Sequence, residues 1–207
     1  MAATGAFIVL EGGEGAGKST QERLLGEYLT EIGHAVLRTR EPGGTPAAER
    51  IRAILLDPAS AGLDTRAEAL LFAAARGDHV ARVIRPALAA GTTVICDRYL
   101  DSSVAYQGYG RQMDPKQIRQ LSMWATSDLM PDLTIILDID PRVGLARVSD
   151  PDRLEAEPLE YHDRVRAGFL TIAATAPDRY LVVDAMQAPD DVAARIHARV
   201  DHLLSSR

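Results

Sequence analysis

The chain has 207 residues, 46% of them apolar, and a formal net charge of −6. That length suits one well-buried α/β domain, and mild acidity without a block of like charge argues against a nucleic-acid or membrane-surface role. The lone cysteine, Cys96, rules out an internal disulfide. No apolar run reaches membrane-spanning length, and residues 1–5 lack the basic and apolar regions of a signal peptide, so a cytoplasmic location is expected.

Taken in order, Phe7-Ile8-Val9-Leu10 is short, apolar and partly β-branched, as a buried parallel strand is. It leads into Gly12-Gly13-Glu14-Gly15-Ala16-Gly17-Lys18-Ser19-Thr20, which has the G-x-x-x-x-G-K-S spacing of a P-loop. A helix over 21–32 follows, with Leu24, Leu25, Tyr28, Leu29 and Ile32 on one face and Gly33 as its stop. Strand, glycine turn and helix N-terminus are what the motif needs. The glycines let backbone N–H groups turn inward around phosphate oxygens, and the helix start adds unpaired donors. Lys18 is placed to reach the β- and γ-phosphates of ATP, and the Ser19 hydroxyl to ligate Mg²⁺.

Residues 35–39 read as a second strand, closed by the turn cluster Arg40-Glu41-Pro42-Gly43-Gly44. Helices are expected over 46–56, from a capping box at Thr65-Arg66-Ala67-Glu68 through Arg76, and over 78–90 with a kink at Gly77 or Pro86. Residues 92–96 form a third strand. Asp114-Pro115 caps a helix to Thr126. A fourth strand covers 133–137, a short helix 141–148, a long helix 159–176, a fifth strand 180–183 and a closing helix 190–204. This alternation predicts a five-stranded parallel sheet with helices on both faces, a three-layer α/β/α P-loop NTPase fold in one domain over 1–207. Residues 149–158 break the rhythm with charges and prolines, and read as either a surface loop or a short lid. Cys96 reads as a core residue, and most of the five scattered histidines as solvated.

A second cluster starts where the third strand ends, at Asp97-Arg98-Tyr99. A carboxylate there faces the same crevice as the P-loop, which makes Asp97 a candidate for the metal, with Asp138 as its rival. Arg98 brings a planar fork suited to a phosphate dianion.

Six ordered segments now converge. They are 7–20, 39–45, 71–76, 97–111, 131–138 and 152–155, and together they resemble the bacterial thymidylate kinases over nearly the whole chain. The resemblance implies transfer of the γ-phosphoryl of ATP to the 5′-phosphate of dTMP, with Mg²⁺, usually in a homodimer. It implies that Arg98, assisted by Arg52, grips the acceptor phosphate, that Phe72 stacks on thymine and that Arg76 hydrogen-bonds the base. Ser102, Ser103 and Gln107 match the base-contacting set, Tyr106 the residue that disfavours a ribose 2′-hydroxyl, and Glu41 and Pro42 the pocket lining. Glu14 matches the acid near the sugar or the metal. The P-loop carries no arginine between Gly13 and Gly17, so the resemblance places the transition-state arginine on the lid at Arg153, with Arg147 stacked on adenine. Two departures stand out: a lid a few residues short, and Ala75 where many relatives have an acid. Another nucleoside-monophosphate kinase, or a nucleotide-dependent switch, is the alternative, and no N-K-x-D guanine motif is present.

Overall fold

Alternating side chains along Phe7–Gly12 (β1) point to opposite faces of a sheet, and all six residues are buried, so both faces must be covered. The computed structural model describes residues 5–206; residues 1–4, most of the stretch read for a leader, lie outside them. Among the described residues the other strands are Val36–Arg40 (β2), Thr93–Asp97 (β3), Leu133–Asp138 (β4) and Tyr180–Asp184 (β5). All pair in parallel, in the order β2-β3-β1-β4-β5. Ile8, Leu10, Ile135 and Leu137 face Leu25 and Leu29 of Lys18–Glu31 (α1) and Ile196 and Val200 of Pro189–Ser205 (α9). Phe7, Val9 and Cys96 turn the other way, onto Val80, Ile84 and Tyr99. Each such fully buried Leu or Ile contributes about 2 kcal/mol.

The remaining helices are Pro46–Leu56 (α2), Thr65–His79 (α3), Arg85–Ala89 (α4), Leu100–Ser103 (α5), Pro115–Thr126 (α6), Pro141–Leu145 (α7) and Leu159–Ala174 (α8). Pro46, Pro115 and Pro141 each stand at a first helical turn behind a Thr or Asp cap, where a missing N–H costs nothing. Strand and helix ends mostly lie within a residue or two of expectation, and α1 starts three residues earlier.

Two expectations are corrected. Asp64 caps α3, its carboxylate accepting from the N–H groups of Arg66 and Ala67, so Thr65 is already helical and Glu68 is free for another task. Nor does the chain break at Gly77. It passes through a widened, π-type turn at Val80–Ile84 directly before α4, which relaxes the ladder where Pro86 can neither donate nor fit a regular turn. A second widened turn, Val104–Gly110, follows α5. Residues 149–158 hold no helix or strand.

Candidate active site

The register Leu10↔Asp97 and Gly12↔Leu137 puts the C-terminal ends of β3 and β4 on either side of the P-loop. Gly12, Gly15 and Gly17 all have positive φ. At Gly15 a Cβ would overlap the carbonyl oxygen of Gly144, so the position also requires close approach. Gly17 precedes α1 without any side-chain cap, leaving the first-turn N–H groups beside Gly13 and Ala16 open to a phosphate. Ser19 and Thr20 are exposed on that turn. Lys18 Nζ donates to the carbonyls of Gly13 (2.8 Å) and Gly12 (3.2 Å). Burial and the charge of Arg98 pull its pKa down, against Glu14 and Asp97.

Arg98 occupies a left-handed backbone position (φ 68°) and joins the two halves of the site. Its Nη1 donates to the Gly12 carbonyl (3.0 Å) and the Ser102 hydroxyl (3.3 Å), and its Nη2 to both oxygens of Glu14 (2.9 and 3.0 Å). Burial opposes ionisation of Glu14, but Arg98 and Lys18 outweigh it and hold the carboxyl at about 2. Tyr106 donates to Glu14 Oε1 at 2.5 Å. Its ring lies under the Arg98 guanidinium and edge-on to Phe169 and Tyr161, so its orientation is set by packing.

Next to this pair opens a cleft lined by both charged and apolar side chains. Every residue assigned to the acceptor lines it. Glu41 and Pro42 come from the turn after β2, Arg52 from α2, Phe72 and Arg76 from one face of α3, and Arg98, Ser102, Ser103, Tyr106 and Gln107 from the segment after β3. Arg76 is locked in place: Nε donates to Glu41 (2.7 Å), Nη1 to Ser122 (3.2 Å) and Nη2 to the Tyr99 carbonyl (3.1 Å). Arg52 Nη1 donates to the Pro42 carbonyl. The Ser103 hydroxyl is buried with no protein partner, an open polar contact in the wall.

Arg147 and Arg153 part company. Arg147 reaches the P-loop, donating to the Gly15 carbonyl at 2.8 Å. Arg153 does not line the cavity, although its neighbours Asp152, Leu154 and Glu155 do. Its Nε donates to the Leu55 carbonyl (2.8 Å) and its Nη2 lies 2.7 Å from Glu68 Oε2. Arg153, expected at the transition state, thus points away from the cavity and into Glu68 in this structure.

Asp97 and Asp138 also separate. Arg166 grips both oxygens of Asp138 (2.7 and 2.8 Å), whereas Asp97 Oδ1 is buried without a partner. An oxygen ligand left open beside the Ser19 hydroxyl's loop suits a hard divalent cation.

Three supporting residues escape a reading of the sequence. Glu11, at the end of the β1 apolar run, accepts from the N–H groups of Tyr99 (2.9 Å) and Ser102 (3.0 Å) and from the Ser102 hydroxyl (2.5 Å), pinning the turn that carries Arg98. Burial, reinforced by Asp101, pushes its carboxyl up to about 7. A charged residue closing an otherwise apolar strand was the available signal. His79 is fully buried, with Nδ1 3.1 Å from Glu41 and Nε2 2.8 Å from Thr39, and so holds the carboxylate that holds Arg76. His162 is buried as well, and His197 stacks on Tyr28, so the expectation of mostly solvated histidines fails. Glu68 is the third. Cys96 is a buried core thiol, as expected.

The family model for thymidylate kinase matches residues 10–196. The thymidylate kinase of Cutibacterium acnes is 49% identical over 201 residues, covering 97% of this chain and 98% of the relative. That of Leifsonia xyli subsp. xyli is 54% identical, with 95% of each chain covered. The crystal structure of thymidylate kinase from Ehrlichia chaffeensis superposes with a TM-score of 0.80 at 38% identity, covering 96% of this chain and 99% of that one. A P-loop, a bridging arginine and the cleft beside them thus coincide with likeness along nearly the full length, and the chain belongs to the thymidylate kinase family.

Proposed function

We propose that Lys18, Arg98 and Arg147 neutralise the phosphoryl group as it passes from ATP, held by residues 12–20, to the 5′-phosphate of dTMP in the cavity beside it. As a member of its family the protein is a nucleoside-monophosphate kinase, a phosphotransferase with ATP as donor and dTMP as acceptor. The observation that carries the residue roles is Arg98, which contacts the P-loop backbone, Glu14 and the cavity wall at once. Phosphoryl transfer is mostly positioning and charge neutralisation, so a cation fixed between donor and acceptor is the part it needs.

Arg52 adds a second positive charge on the acceptor side. Phe72 and Arg76, four apart on α3, present a ring face and a held guanidinium for the base, with Ser102, Ser103 and Gln107 opposite. Tyr106, fixed by Glu14 and its aromatic neighbours, takes the part of disfavouring a ribose 2′-hydroxyl, a role supported by its place in the wall of the cleft. Ser19 and Asp97 would hold Mg²⁺, which supplies further neutralisation of phosphate charge when bound. The chain acts as one kinase domain with its lid at 149–158, and we place its ATP-dependent reaction in the cytoplasm. No described helix is long and apolar enough to cross a membrane.

The test is ADP release from Mg·ATP with dTMP, dUMP, UMP and dCMP as acceptors. Strong stimulation by dTMP and little by UMP or dCMP is expected. Equal stimulation by UMP would remove the role given to Tyr106, and none by any acceptor would reject the reaction.

A homodimer is supported by the outer side of α3 and α6. There Trp124 is 82% exposed and Leu70 57%, around an apolar recess with Ala74 and Leu121. A contiguous apolar face of this kind fits a second copy of the chain. Trp124→Asp should shift the protein to monomer in sedimentation at micromolar concentration. An unchanged dimer would put the interface elsewhere.

A further inference from the structure

Glu68 is 1% exposed and takes contacts from three directions. Its Oε1 accepts from Gln107 Nε2 (3.0 Å), in the cavity wall, and from Arg111 Nε (3.2 Å). Its Oε2 accepts from Arg111 Nη2 (3.2 Å) and pairs with Arg153 Nη2 (2.7 Å), from the 149–158 segment. Arg111 Nη1 in turn pairs with Glu157 at 2.6 Å, so the far end of that segment is held by the same group. Two acids and two arginines balance each other in a place mostly closed to water. Burial works against the Glu68 charge, but Arg111, Gln107 and Arg153 outweigh it and hold its carboxyl below the usual range.

The geometry has a directional sense. Arg153 points away from the cavity into Glu68, while Asp152, Leu154 and Glu155 line the cavity. The Asp152 carboxylate accepts from the N–H groups of Leu154 and Glu155, and Glu155 returns a bond to the Asp152 N–H, so the turn is stiff. Anchoring Arg153 therefore places its neighbours. We infer that Glu68 is a positioning residue that ties the 149–158 segment to the cavity wall, so that lid seating and acceptor binding depend on one carboxylate. The inference rests on the acceptor reading above for its kinetic part only. Arg153 then acts through the lid's position, and the segment cannot lift without pulling Arg153 off the carboxylate that also holds Gln107.

Glu68→Gln keeps the size and removes the charge that two guanidinium groups share. Two measurements on the full chain test it, with near-ultraviolet dichroism to establish that each variant is folded. In hydrogen exchange without nucleotide, amides of residues 150–158 should exchange at least about tenfold faster in Glu68→Gln and in Arg153→Gln than in the parent. In steady-state kinetics each variant should raise the dTMP KM about tenfold while kcat changes less than about threefold, and the double variant should be no worse than either single. Unchanged lid exchange, or KM effects that multiply in the double variant, overturns the inference. So does a collapse of kcat at constant dTMP KM in Arg153→Gln alone, which would return Arg153 to the transition state. Where Glu68→Gln does not fold, Arg153→Gln carries both measurements. A parent chain inactive toward dTMP would sink the acceptor reading and leave the exchange result to decide the coupling.

Discussion

Arg98→Ala should lower kcat with dTMP by about 10³-fold or more, the range seen when a cation that stabilises phosphoryl transfer is removed. The loss has two sources. The guanidinium bridges the Gly12 carbonyl, Ser102 and Glu14, so its removal opens the gap between donor loop and acceptor cavity. It also strips Glu14 of the charge that most strongly holds its carboxyl at about 2, leaving a buried acid beside Lys18 where phosphate must sit. Arg98→Lys should recover only part of the rate. A single ammonium cannot span the P-loop carbonyl and both Glu14 oxygens in the way a planar fork does. Initial rates at saturating ATP across a dTMP series separate kcat from KM. A kcat within tenfold of the parent would move the acceptor phosphate away from Arg98.

Glu11→Ala should be the most destabilising single change near the site. It leaves the Tyr99 N–H, the Ser102 N–H and the Ser102 hydroxyl without their acceptor in a buried place, at roughly 1–3 kcal/mol for each unsatisfied group. Glu11→Gln should cost far less, because an amide oxygen can accept both N–H groups while its NH₂ donates to the Ser102 oxygen. The two variants also differ in pH response. The Glu11 carboxyl sits at about 7 when folded against an ordinary 4.5, so the native state holds a proton over that interval that the unfolded chain has released. Its contribution to stability is complete below about 4.5, falls as pH rises toward 7, and is constant above. The span is on the order of 3 kcal/mol. Calorimetric Tm values from pH 5 to pH 8 should fall more steeply for the parent than for Glu11→Gln. Parallel slopes would mean that Glu11 is ionised throughout.

What could be read from residue order was what is encoded locally. The P-loop needs only eight consecutive positions, and Asp97-Arg98 only the end of a strand, so their crevice was expected before any contact was known. Phe72 and Arg76 reach the cavity because four residues make one turn of α3, but their inward direction depends on the rest of the fold. Glu68 illustrates the opposite case. At its position behind Thr65 it has the spacing of a capping residue, and only the docking of Arg111 and Arg153 from distant segments reveals its burial. His79 looked like one more polar residue on a helix because its partners, Thr39 and Glu41, lie some forty positions earlier. Arg153 was found as a lid residue, while its direction, set by contacts with Leu55 and Glu68, could not be read from its neighbours in sequence.

The widened turn at Val104–Gly110 bears on how this site could have arisen. A regular helix advances about 100° per residue, and a π-type turn accommodates one residue more than the regular ladder does. Deleting a single residue from that turn would let the helix close normally, yet it would swing Tyr106 and Gln107 away from the cavity or drive the downstream ring of Tyr109 off α8. The extra residue of the turn is thus tied to what it aims. Among descendants of such a chain, length in this segment should be fixed far more tightly than the identity of the side chains around it.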